Sequence, residues 1–150
     1  MRIIKKEVTE ESALGEIYKN VKMGADAIIN LLPSVGDDAL RSAMTQQLDG
    51  YEKYAAHAEQ ALHERGCKAK EEGAVARFSA KMGMAFNTMV DSSTTHIAEM
   101  MIEGSNMGIT DLTRLINHLE AVDPSSKAAR LAREVVRFEE RNLEELKRYL

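Results

Sequence analysis

TEESALGEIYKNVKMGADAIINLLP, residues 9–33, spells out one helix together with the causes of both its ends. Leu14, Ile17, Tyr18, Val21, Ala25, Ile28 and Leu32 recur at intervals of three and four, which gathers them on one broad side of an α-helix. Thr9 is placed to cap the first open amides, and Glu10 and Glu11 sit where the helix dipole favours anions. Pro33 keeps the helix from running past Leu32. The chain is therefore expected to build its core from helices.

The pattern repeats outward from this stretch. Ser34, Val35 and Gly36 make a short turn, and Asp37 or Asp38 can cap a second helix whose Leu40, Met44, Leu48, Tyr51, Ala55, Ala58 and Leu62 point inward and which Gly66 stops. The polar connection from Cys67 to Gly73 is short, which predicts that the next helix runs back beside the second. Val75, Phe78, Met82, Ala85, Phe86, Met89, Ile97 and Met100 continue the helical period toward Val122. An unbroken helix over 74–122 would extend roughly 75 Å, against about 45 Å for its neighbour. A break is expected at Gly104–Gly108, leaving Ile109 to Val122 as a short fifth helix or bent extension that Asp123 and Pro124 end. Ser125 or Ser126 then caps a last helix with Leu131, Val135, Phe138, Asn142, Leu146 and Tyr149 on one side. The fold class read from this pattern is all-α, an antiparallel up-and-down four-helix bundle formed by residues 1–150 as a single domain.

Composition narrows the function classes. Apolar residues at 44% and charged residues at 29% suit a packed globular domain and exclude disorder for most of the chain. Lys and Arg total 20 against 24 Asp and Glu, so the basic excess needed for a nucleic-acid partner is missing. No stretch is long and uncharged enough for a membrane span, and the single cysteine, Cys67, cannot form an internal disulfide, which points to a reducing, cytoplasmic setting. No phosphate-binding glycine loop, Gly-x-Ser-x-Gly elbow, His-Glu-x-x-His zinc motif or calcium loop occurs, which removes support for the common hydrolase and nucleotide-enzyme classes.

Ligand sites in bundles are made by polar side chains that face inward, so Glu, Asp and His on an apolar stripe are the candidates. His96, Glu99 and Glu103 fall on the side of Met89 and Met100, and an imidazole and a carboxylate three residues apart can share one metal ion. Glu59 and His63 share a face near the end of the second helix, a surface pair by its position. Met82, Met89, Met100 and Met107 are gap fillers in a core poor in aromatics, with copper(I) binding as the sharper alternative.

HIAEMMIEGSNMG, residues 96–108, together with two long helices, a long third and a final one, resembles the ferritin-like helix-bundle superfamily. Members with a di-iron centre carry an inward Glu on each of two helices and Glu-x-x-His on each of the other two. The residues three before the histidines here are Tyr54, Gln60, Ser93 and Leu115, so what the resemblance implies is a partial site, His96-x-x-Glu99 with Glu103, supplemented across the core by Glu52, His57 or Glu139. Iron, manganese or zinc would be its metal. The competing expectation is a non-catalytic interaction module, a homo-oligomer such as a dimer, because Met100, Met101 and Ile102 are consecutive and no narrow core stripe can bury all three.

Overall fold

The computed structural model describes residues 8–69, 77, 80, 81, 84, 89 and 91–150. The described residues are helical with no strand, and four long helices carry the core: α1 (Glu10–Leu31), α2 (Asp38–Glu64), α3 (Thr94–Val122) and α4 (Lys127–Leu146).

Each end has a local cause. Thr9 caps α1 by accepting from the Ser12 amide at 3.0 Å, while the Thr9 amide donates to Ser12 Oγ at 2.9 Å, closing a reciprocal box. Pro33 passes α1 into a single 3-10 turn, Leu32–Ser34. Of the two aspartates offered by the sequence, Asp37 caps α2, and Ser126 rather than Ser125 caps α4. Gly66 ends α2 at φ 73°, a left-handed conformation that costs glycine nothing. The Gly66 amide then donates to His63 O and the Cys67 amide to Leu62 O, both at 2.9 Å, which satisfies two of the open carbonyls.

The expected break at Gly104–Gly108 is absent, and α3 is continuous from Thr94 to Val122 without a separate fifth helix. The interruption lies earlier, where Asp91 accepts from the Ser93 amide and Ser93 caps α3 by accepting from the His96 amide. Two helix-interior glycines cost about 1 kcal/mol each, and burial of Ile97, Met101, Ser105, Leu112, Leu115 and Leu119 along one side of α3 outweighs that cost. The expected inward positions Val75, Phe78, Met82, Ala85 and Phe86 lie outside the described residues.

α1 packs mainly on α2 and α3 on α4; the pairs meet through α1 against α3 and α2 against α4, while α2 and α3 make little direct contact. Glu11 near the start of α1 pairs with Arg65 just beyond α2 at 2.7 Å, and Tyr51 lies under Gly24 midway along both. Thr95 at the start of α3 donates to Tyr149 O, and Glu120 near its end lies 3.8 Å from Arg133. Lys127 at the start of α4 reaches Glu64 at the end of α2 at 3.0 Å, and the Ala128 amide donates to Glu10 Oε1 at 2.8 Å. The core between them is aliphatic at both ends, with Leu14, Ile17, Ile28, Leu31, Leu40, Met44, Ile97, Leu112 and Leu146 fully enclosed. No helix among the described residues is long and apolar enough to cross a membrane.

Candidate functional site

Midway along the bundle the aliphatic core gives way to polar side chains. α2 brings Gln47 and, one turn on, Tyr51; α3 brings Ser105; α4 brings Glu139 and Asn142, and all five are buried. The Tyr51 hydroxyl donates to Glu139 Oε1 at 3.3 Å, with Ser105 and Asn142 beside it. From α1, Asn20 Nδ2 donates to the Gly108 carbonyl at 3.1 Å. All four helices thus contribute a polar group at this level.

Glycines make the space. A Cβ on Gly108 would lie 2.6 Å from Glu139 Oε1, and one on Gly24 would lie 2.4 Å from the Tyr51 ring. Gly50 likewise meets Phe138, whose ring stands edge-on to Tyr51 with centroids 5.0 Å apart. The residue that seemed to break α3 in the sequence is therefore the one that lets the carboxylate of α4 approach it.

Burial dominates the electrostatics. With 2% of its surface exposed, the Glu139 carboxyl is pushed up to about 8 by loss of hydration, a shift that the Tyr51 hydrogen bond opposes and the charge of Asp111 reinforces. The Tyr51 phenol is likewise raised well above its ordinary range, first by burial and then by the Glu139 charge. Five buried polar atoms here and beside it find no partner among the described residues: Asn20 Oδ1, both amide atoms of Gln47, Glu139 Oε2 and Asn142 Nδ2. Unsatisfied buried polar atoms are few in folded proteins, and this many sets the level apart from the aliphatic core above and below it.

The six residues nominated from the sequence are not brought together as a set. His96 is 38% exposed in its side chain, with Nδ1 3.7 Å from Glu99 Oε2, and Glu103 is exposed one turn on. Glu52 and His57 lie exposed on α2, where His57 faces the edge of Tyr54. Glu139 alone is in the core. Among the described residues no three His, Cys, Asp or Glu side chains gather where they could hold a metal ion. Glu59 and His63 are exposed, as their position suggested. Of the methionines, Met44 and Met101 enter the core, whereas Met107 is 57% exposed.

The groups missed by sequence reasoning are Asn20, Gln47 and Ser105. Their signal was present: Gln47 sits three after Met44 and four before Tyr51, on the inward stripe of α2. A search confined to Glu, Asp and His passes over amides and hydroxyls. A full di-iron centre of the ferritin-like kind does not fit these donors, because among the described residues one carboxylate and no imidazole face the centre, and Asn142 stands three residues after Glu139 where a histidine would be needed.

Glu99, Ile102, Glu103, Met107 and Asp111 of α3 line, with Leu150, a surface groove of about 530 Å³. No family model matches the chain, and no curated protein or solved structure does either.

Proposed function

We propose that this chain is a non-redox, cation-binding helical bundle of ferritin-like topology, with its site at Glu139 and not at His96. The observation that carries the reading is the set of three unpartnered buried oxygens, Glu139 Oε2, Gln47 Oε1 and Asn20 Oδ1, supplied by three different helices. A cation would replace the proton of this carboxyl and satisfy acceptors that no donor among the described residues reaches.

The ends that meet support the topology. Glu11 with Arg65, Thr95 with Tyr149 and Glu64 with Lys127 set α1 against α2, α3 against α4 and α2 against α4 in opposite directions. α2 and α3 then point the same way, as the second and third helices do in ferritin-like folds, where one long crossover joins them. The return of the chain expected at the short 67–73 connection falls mostly outside the described residues.

Equilibrium dialysis against mixed salts, followed by elemental analysis of protein and dialysate, tests the function. The expected result is one excess cation per chain, lost in Glu139→Gln. Equal ion content in both proteins would overturn the reading.

A second reading, a helix-docking module without metal, is favoured by the α3 groove, where Met107 is 57% and Leu150 61% exposed between Glu99, Glu103 and Asp111. A two-fold contact with a second copy would place these acids against each other, so the groove selects a basic amphipathic helix from a partner over the homodimer. Fluorescence anisotropy with a Lys/Leu amphipathic peptide should show binding that Met107→Lys abolishes; unchanged binding by the variant would refute it.

A further inference from the structure

We infer that the ion held at the Glu139 centre is a hard monovalent cation, sodium or potassium. This rests on the reading of that centre as a cation site, and adds the class of ion.

Charge balance selects the ion. Among the described residues Glu139 is the one buried carboxylate, and the polar side chains at its level, Gln47, Tyr51, Ser105, Asn142 and Asn20, are all neutral amides or hydroxyls. A monovalent cation that displaces the Glu139 proton leaves the core without net charge, as the proton did. A divalent ion would leave a buried positive charge with no counterion, which a low-dielectric interior penalises. Asp111, the nearest further acid to act on Glu139, is exposed on α3 and belongs to the surface groove.

Donor softness selects the same class of ion. Every candidate ligand atom is an oxygen: carboxylate, amide carbonyl, phenol and hydroxyl. Asn142 and Gln47 can each present the amide oxygen by a half turn of the terminal torsion. No imidazole or thiolate faces the centre, since His57 is exposed on α2, His96 is at the surface of α3 and Cys67 lies beyond the end of α2. Oxygen-only sites suit hard cations, whereas zinc, copper and ferrous iron gain from nitrogen or sulfur. Calcium and manganese accept oxygen sites but take several carboxylates.

Close packing excludes larger occupants: Gly108 and Gly24 bring helix backbones against the Glu139 carboxylate and the Tyr51 ring, which leaves no room for an organic ligand. Ordered water is the competitor for the same atoms, and it has no preference among salts.

The test is thermal unfolding of the full chain at constant ionic strength in the chlorides of tetramethylammonium, sodium, potassium, magnesium, calcium, manganese and zinc. For wild type, sodium or potassium at about a hundred times its dissociation constant should raise Tm by roughly 5 °C or more over tetramethylammonium. The divalent ions should raise it less. Glu139→Gln should remove the alkali effect while keeping the fold, which far-ultraviolet circular dichroism checks. Asn142→Asp supplies the second carboxylate, and should reverse the order so that calcium or manganese becomes the stronger stabiliser. A wild-type response to a divalent ion with none to alkali ions would overturn the monovalent assignment and leave the cation site standing. Indifference of wild type to every cation would overturn both and leave water in the centre.

Discussion

Glu139→Gln should make the protein more stable at neutral and alkaline pH, and should flatten its dependence on pH. The carboxyl is raised from 4.5 to about 8, chiefly because ionising it would strand a charge away from water. Tyr51 of α2 and Asp111 of α3 are the ionisable groups that act on it, and α1 faces the centre with the neutral Asn20. Between these two values the native state keeps a proton that the unfolded chain has released. Stability is therefore fully present below pH 4.5 and is lost as pH rises to about 8. The loss runs at about 1.4 kcal/mol per pH unit, which accumulates to roughly 3 kcal/mol at pH 7 and about 5 kcal/mol above pH 8. Glutamine has the same shape, cannot ionise, and can donate its amide to the Tyr51 hydroxyl. Urea unfolding followed by circular dichroism in tetramethylammonium chloride, where no alkali ion can neutralise the carboxylate, measures both profiles. The two proteins should agree within about 1 kcal/mol near pH 5 and differ by roughly 3 kcal/mol or more by about pH 8. Parallel profiles over that range would refute the reasoning, because they would mean that Glu139 titrates as an ordinary carboxyl and that the centre is wet.

The continuity of α3 makes opposite predictions for its two glycines. Gly104→Ala, with nothing within 4 Å of the new Cβ, should gain up to about 1 kcal/mol in chemical denaturation, whereas Gly108→Ala should lose about 1–3 kcal/mol by colliding with Glu139; similar gains at both would show that α4 does not approach so closely. Ser93→Ala removes the hydrogen bond to the His96 amide and should cost about 0.5–2 kcal/mol, recovered in Ser93→Asp; an unaffected Ser93→Ala would mean that α3 starts elsewhere. His96→Ala should change stability by less than about 0.5 kcal/mol and leave zinc binding as it was, since a half-exposed imidazole 3.7 Å from one exposed carboxylate makes a weak pair; loss of a bound zinc ion in calorimetry would restore His96 as the site.

Local chemistry was legible because it is local. Thr9, Asp37, Ser126 and Gly66 end or begin helices through hydrogen bonds and torsions spanning a few residues, and the three-and-four spacing of Leu14, Ile17, Val21 and Ile28 selects a buried face before any neighbour is known. Gly104 and Gly108 misled for the same reason: taken alone, each weakens a helix, and only the approach of Glu139 from α4 shows what Gly108 is for. Glu139 follows the apolar Phe138 by one residue, and its burial depends on how far α4 rotates against α2 and α3.

The amino-acid order by itself determined that the chain is helical, where most helices begin and end, and which side of each is apolar, because propensity, capping and periodicity act within one or two turns. Only the tertiary structure decided that α1 lies against α3 while α2 does not, and that Asn20, Gln47, Tyr51, Ser105, Glu139 and Asn142 share one level of the core. Those relations join residues as far apart as 20 and 108 or 51 and 139, and depend on helix rotation and register that many distributed packing contacts set together.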